Sequence, residues 1–258
     1  MKDIADFTYV KDLDVLILAE CTISAATIAS NLSKSHTKRK FTYLKNTNSK
    51  FKIVTRLDGK CIKNFDKKFG GFSWSINKFL IPNIVEFSIV SVHLPSKLHW
   101  DDSSQTFEAV NMMNQVRDYE RYNGKNTIII GDFNMNPYEA GMTSTLGLHG
   151  MKDATIAKEK NRKVQGKLYD YLYNPMWNYL GDDNDVPGTY FKRKAVHNNV
   201  MWNTFDQILV RPNLLNYFKI EDIEIVTHIG SESLIDVKTK KIKETYSDHL
   251  PIIITLKL

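Results

Sequence analysis

Short apolar runs separated by turn-forming residues recur along this chain, at 40–44, 51–57, 72–76, 85–94, 126–130, 205–210, 223–228 and 251–256. Runs of this length, rich in Val, Ile, Phe and Tyr, predict β-strands, and so many of them require a large sheet or two. A further apolar run at 14–20, Asp-Val-Leu-Ile-Leu-Ala-Glu, reads as a strand ending in a carboxylate. Helical periodicity is clearest over 102–122, where Phe107, Val110, Met113 and Val116 recur at helical spacing behind a capping box of Asp102 and Gln105. A second helix is expected over 22–32, with Ile23, Ala26, Ile28 and Leu32 as its apolar positions, and Pro137 can open a third. Ile4, Phe7 and Val10 share one helical face ahead of Asp14. Helices lying between groups of strands, with no Gly/Ser- or Pro-rich linker, predict one α/β domain spanning residues 1–258. The polar stretch 158–167 and the acidic stretch 181–185 read as surface loops.

Composition narrows the class. With 258 residues and 42% hydrophobic content the chain can build a substantial core. An excess of 35 Lys and Arg over 29 Asp and Glu leaves a formal charge of +6, a mild bias toward polyanionic partners such as nucleic acid. The basic residues come in short groups: Lys34 with Lys38, Arg39 and Lys40; Lys60, Lys63, Lys67 and Lys68; and Lys192, Arg193 and Lys194. Each reads as a solvated loop or face ahead of a binding surface, and together they permit a nucleic-acid substrate without requiring one. Cys21 and Cys61 match neither a zinc pattern nor a disulfide framework, which implies a reducing compartment. The longest apolar stretch near the N-terminus, 15–19, is too short for a signal core or a membrane span. A soluble, cytoplasmic protein with no membrane segment and no obligate protein partner is expected.

Candidate chemistry gathers at the ends of the predicted strands. Gly131, Asp132, Phe133 and Asn134 follow directly on a β-branched run, placing a carboxylate and an amide where the strand stops. A turn explains Asp and Asn at such a point on local grounds, and company elsewhere in the chain must decide between turn and site. Glu20 ends the 14–20 run with a lone carboxylate suited to a hard cation. His93 ends a buried run just before Leu94 and Pro95, and Asp206 interrupts an otherwise apolar strand, where a carboxylate needs a partner. Asp248 and His249, adjacent in an extended segment, point in different directions and can hold different roles at one site.

In order and spacing, Glu20, His93, Asp132 with Asn134, Asp206, and Asp248 with His249 resemble the motifs of the endonuclease/exonuclease/phosphatase superfamily, the deoxyribonuclease I-like proteins. The resemblance runs from about residue 12 to the C-terminus. It implies a four-layer α/β sandwich of two central, mostly antiparallel β-sheets flanked by helices, and hydrolysis of phosphate esters with Mg²⁺, for which Mn²⁺ can substitute. By the same resemblance Glu20 binds the metal and Asp248 contributes to it. Asp132 and Asn134 orient or activate the attacking water and hold the phosphate, and His249, partnered by Asp206, contacts the scissile phosphate or acts as acid/base. His93 matches a second histidine of the deoxyribonuclease and phosphatase branches, where abasic-site endonucleases usually carry a tyrosine. Tyr190 and Trp202 can stack on a base or sugar, or pack the edge of the core, and Arg56 is a candidate phosphate contact.

One family feature is missing. Members begin with a strand ending in an asparagine that helps bind metal and phosphate, and no residue here matches it, so the fold is expected to lack that first strand. Either Met1 is internal to a longer protein or the chain has lost the strand; the full set of other catalytic positions favours the former. The leading expectation is a metal-dependent nuclease acting on DNA or RNA. The alternatives are a phosphatase or phosphodiesterase acting on a small molecule or lipid head group, and a catalytically impaired binding module on the same fold.

Overall fold

A computed structural model describes residues 1–35, 39–45, 48–63, 69–98, 100–181, 186–195, 197, 199–236 and 238–258. Lys38, Lys67, Lys68 and most of the expected acidic loop, 182–185, lie outside the described residues. The chain starts with α1 (Lys2–Val10), β1 (Val15–Leu18), α2 (Ala25–Ser35), β2 (Thr42–Tyr43) and β3 (Lys52–Thr55). Next come β4 (Gly70–Gly71), β5 (Trp74–Ile81), β6 (Val85–His93), α3 (Asp102–Asn123), β7 (Thr127–Asp132) and α4 (Ala140–Thr143). The middle of the chain holds β8 (Gly150–Met151), α5 (Ala154–Ala157), β9 (Asn161–Val164), β10 (Lys167–Asp170) and β11 (Leu172–Tyr173). It ends with β12 (Tyr190–Phe191), β13 (Trp202–Asn203), β14 (Asp206–Val210), β15 (Ile223–Ile225), β16 (His228–Ile229), β17 (Glu232–Ser233) and β18 (Ile252–Ile254).

Seven strands form a mixed central sheet in the order β4-β5-β6-β7-β14-β11-β8, parallel at β6–β7 and at β11–β8 and antiparallel elsewhere. Where a second continuous sheet was expected, the described strands give a three-stranded piece, β1-β3-β2, and a two-stranded pair, β15–β18. Side-chain alternation sorts the apolar residues between cores. Ile128 and Ile208 face a core shared with Phe51, Ile53, Ile223, Ile225 and Leu250. Their neighbours Ile129 and Leu209 face the opposite way, against Met112, Met113 and Val116 of α3. In β3, Ile53 joins the first core, while Val54 packs with Leu16, Ile28 and Leu32 under α2.

Several local expectations shift. Asp101, not Asp102, caps α3, its carboxylate accepting from the Ser104 amide at 2.7 Å. Gln105 turns inward instead of boxing the cap, donating to the Pro95 carbonyl at 2.9 Å and the Asn134 carbonyl at 3.1 Å. Phe107 is 70% exposed, because the face that meets the sheet runs through Ala109, Met112, Met113, Val116 and Tyr119. Helix α2 begins three residues later than expected, at Ala25, leaving Ala26 on the solvent side. Pro137 occupies the turn ahead of α4 and does not open it. The stretch 158–167 is not simply a loop: most of it belongs to the hairpin β9–β10, turned at Gln165 and Gly166, both with positive φ as a two-residue hairpin turn requires. Among the described residues, no helix is long and apolar enough to cross a membrane.

Two features lock the central sheet. Gly131 adopts φ +140°, and a Cβ there would stand 2.0 Å from the Val92 carbonyl oxygen, so only glycine lets β7 lie this close to β6. Arg211, just beyond β14 and 1% exposed, grips Glu120 of α3 through two hydrogen bonds of 2.9 and 2.7 Å and donates to the Tyr171 carbonyl at 3.0 Å. Removing one member of such a pair strands a buried charge. Arg211→Met is expected to cost about 3–5 kcal/mol of unfolding free energy in urea titration. Gly131→Ala is expected to cost roughly 3 kcal/mol or more, or to prevent folding, by the same measurement.

Candidate active site

Strand register assembles the site. Parallel pairing of β6 with β7 sets His93 opposite Asp132, and antiparallel pairing of β7 with β14 sets Asp132 opposite Asp206. Three ionisable residues, far apart in sequence, thus stand side by side across adjacent strand ends. Backbone bonds continue past the strands, from the Leu94 amide to the Asp132 carbonyl at 2.9 Å and from the Phe133 amide to the Phe205 carbonyl at 2.8 Å. Phe133 itself is fully buried in the core beneath α3, anchoring the turn from below.

Behind β7 the backbone turns at Asn134, which takes φ +50°, a left-handed conformation that asparagine tolerates better than most residues. Both oxygens of Asp132 are engaged there: Oδ1 accepts from the Asn134 amide at 2.7 Å and Oδ2 from Asn134 Nδ2 at 2.8 Å. Nδ2 also donates to the Leu94 carbonyl at 2.9 Å, which fixes the orientation of the amide and leaves Oδ1 without a partner among the described residues. The local turn is therefore real, and it lines a cleft with its carboxylate and its amide.

His249 Nδ1 lies 2.7 Å from Asp206 Oδ2. Burial alone would lower the histidine's pKa, but the Asp206 charge and hydrogen bond, with Asp132 and Asp248 adding to them, hold it up at about 9. His249 is an imidazolium at neutral pH, with Nδ1 tied to Asp206 and Nε2–H as its second donor. Asp132 moves in the opposite sense for a carboxylate. Burial, then the Asp206 and Glu20 charges, push it up to about 7 against the pull of His249 and the Asn134 amide.

His93 contrasts with His249. Burial holds it below the ordinary histidine range, the Glu20 charge opposes this, and Lys50 and His249 add to the lowering. Its Nε2 lies 3.7 Å from both Glu20 Oε1 and Asp132 Oδ2, while its buried Nδ1 has no partner among the described residues. The site thus holds one charged and one neutral imidazole, each beside a carboxylate.

Asp132, Asp206 and His249 offer potential ligand atoms that all lie within 4.8 Å of one another. Two of the three are already satisfied internally: Asp206 pairs with a protonated His249, and an imidazolium has no lone pair to give a metal. Glu20 carries a 78% exposed side chain at a left-handed backbone position, and its carboxylate, like that of Asp248, accepts no hydrogen bond among the described residues. Two open carboxylates at the mouth of a cleft suit a hard divalent cation.

All these groups line one cleft of about 1090 Å³, together with Tyr190, Asn136, Asn203, Tyr138, Lys97, Lys192 and Lys194. Tyr190 forms a β-bridge with His249, and its ring centroid stands 4.6 Å from the imidazole and 5.4 Å from Phe205. Two expected contacts fall elsewhere. Trp202 does not line the cleft; it packs edge-on to Phe191 at 5.2 Å against the core, the second of its two sequence readings. Arg56 does not line it either, because Asp14 Oδ1, Asp12 Oδ1 and the Asp12 carbonyl hold its guanidinium at 2.7, 2.6 and 2.9 Å.

Sequence reasoning missed part of the lining. Asn136 donates from Nδ2 to Glu139 Oε1 at 3.1 Å and Asn203 Oδ1 at 3.0 Å, and accepts from the Thr204 amide at 2.9 Å. Lys97 pairs with Glu139 and with Asp102 at 2.9 Å. The signal available was the second asparagine two residues after Asn134, together with the lysine four residues after His93.

No protein-family model matches the sequence, and no curated protein matches it. Solved structures do match the fold. Truncated TDP2 from Caenorhabditis elegans superposes with a TM-score of 0.55 at 16% identity, covering 99% of this chain and 89% of that one. An endonuclease/exonuclease/phosphatase family protein from Bacteroides thetaiotaomicron gives 0.55 at 14% identity over 98% and 86%. A point variant of the 3′ phosphatase NExo from Neisseria, bound to a product DNA hairpin, gives 0.51 at 15% identity over 95% and 89%. The chain therefore has the mixed α/β, deoxyribonuclease I-like fold of the endonuclease/exonuclease/phosphatase proteins.

Proposed function

We propose that this protein is a divalent-metal-dependent phosphoesterase, and specifically a nuclease that hydrolyses phosphodiester bonds of DNA or RNA. The observation that carries the reading is the His249–Asp206 pair standing beside the Asp132–Asn134 turn at one end of a cleft. In this reading His249 Nε2–H donates to a non-bridging oxygen of the scissile phosphate, with Asp206 holding the ring and keeping it charged. Asp132, with a pKa near the working pH, takes the proton of the attacking water. Asn134 holds that carboxylate from two sides and offers Oδ1 to the same water. Neutral His93 lies between Asp132 and Glu20 and keeps the two carboxylates apart. Glu20 and Asp248 would hold the Mg²⁺, with Mn²⁺ able to substitute; the ion, when bound, offsets charge on the phosphoryl oxygens. The DNA hairpin bound by NExo supports a nucleic-acid substrate, and the phosphatase activity in that protein's name supports a second reading, hydrolysis of a terminal phosphomonoester.

Purified protein is expected to hydrolyse single-stranded DNA, RNA or a generic aryl phosphodiester in Mg²⁺ and to stop on chelation. Asp132→Ala, still folded by circular dichroism, is expected to lose at least about a hundredfold in kcat. An Asp132→Ala protein as active as the parent would remove the basis of the assignment.

The ion pair also has a signature in stability. A histidine whose folded pKa is raised contributes stability that is fully present below its unfolded pKa, about 6.5, and lost as pH rises through about 9. The Tm gap between the metal-free protein and its Asp206→Asn variant is expected to be widest near pH 6 and to narrow by pH 10. A gap that grows with pH would contradict the pairing.

A further inference from the structure

The cleft lining carries both signs of charge. Around His249 and His93 stand Glu20, Asp132, Asp206 and Asp248, four carboxylates against one charged imidazole. Just beyond β12, Lys192 and Lys194 line the wall, both exposed and neither in an ion pair among the described residues. Lys97, the remaining lysine of the lining, is already held by Glu139 and Asp102. Asn203 of β13 lines the same cleft. Its Oδ1 accepts from Asn136 Nδ2, itself fixed by Glu139 and the Thr204 amide, so Asn203 Nδ2 is the side that can donate outward. Among the described residues Nδ2 makes a single bond, a long 3.3 Å one to the Met201 carbonyl, and therefore keeps donor capacity for a ligand.

The spacing is set by strands. Asn203 pairs with Tyr190, which bridges on its other side to His249. Two strand spacings separate the backbones of Asn203 and His249 by about 10 Å. One phosphate at His249 thus leaves a neighbouring phosphate of the same strand within reach of Asn203 Nδ2 and the two lysines. The aromatic ring of Tyr190 lies between them.

We propose that Asn203, Lys192 and Lys194 form a second phosphate subsite that binds the phosphate flanking the scissile one in a single nucleic-acid strand. Asn203 is its directional donor, positioned by the Lys97–Glu139–Asn136 chain, and the lysines supply charge. Its role in catalysis rests on the phosphoesterase reading, but its occupancy does not require turnover.

Binding of a fluorescein-labelled thymidine octanucleotide, followed by anisotropy over a salt series in Ca²⁺ and in EDTA, tests it. The Lys192→Ala/Lys194→Ala protein is expected to bind more weakly, with the slope of log K against log salt reduced by about 1.4, the value for two lost contacts to a single strand. Asn203→Ala is expected to lose about tenfold in affinity with its slope retained. Asn203→Asp keeps the acceptor for Asn136 but faces the strand with a carboxylate, and should lose more. Failure of the parent protein to bind the octanucleotide, an unchanged slope in the lysine variant, or parental affinity in Asn203→Asp would each overturn the proposal. Binding that behaves as expected without hydrolysis of any phosphoester counts against the phosphoesterase reading alone. Hydrolysis of an aryl diester with octanucleotide binding unmoved by these variants counts against the subsite alone.

Discussion

The close approach of β6 and β7 is the constraint on which the site depends. It exists because Gly131 has no side chain to drive into the Val92 carbonyl, and it carries the register that sets His93 beside Asp132. The antiparallel pairing with β14 then adds Asp206 on the other flank. Backbone ladders of this kind are cooperative and stiff, so the three side chains are held by the sheet and not by one another. Glu20 and the Asp248–His249 pair arrive from outside this ladder and find its partners already in place.

Electrostatics follows from that placement. Crowding carboxylates at buried strand ends raises the proton affinity of the one with least access to water, Asp132, and the same crowding sustains the charge of His249. His93 sits in similar surroundings but lacks a close carboxylate bond, so burial wins and it stays neutral. Two histidines of identical chemistry thus take opposite protonation states because one is 2.7 Å and the other 3.7 Å from its nearest carboxylate. An acceptor poised near neutrality beside a fixed cation is the arrangement expected for proton transfer at a phosphate.

Other residues hold the frame and touch no chemistry. The Arg211–Glu120 pair fastens α3 to the sheet end remote from the cleft. Gln105 reaches from α3 to the carbonyls of Pro95 and Asn134, steadying both segments that leave the strands carrying His93 and Asp132. Arg56, a candidate phosphate contact by its place near a strand end, closes the α1–β1 turn through Asp12 and Asp14.

By itself the sequence located the long apolar strands and the two longest helices, because period-two and helical spacing of apolar residues report on which faces are buried, while the polar hairpin β9–β10 carried no such signal. It also placed Glu20, His93, Asp132 and Asn134 where strands stop, Asp206 in an apolar strand and Asp248 with His249 just ahead of the closing one, since polar residues stand out against β-branched runs. Only the tertiary structure decided how they meet. Register, the left-handed turns at Glu20 and Asn134, and the distances that split the two histidines are properties of paired strands, invisible in any one segment. The same holds for residues whose sequence pattern allows more than one environment. Trp202, Arg56 and Phe107 each have a side chain fit for two environments, and packing partners distant in sequence chose between them. Asn136 and Asn203, 67 positions apart, join through a hydrogen bond that no local pattern encodes.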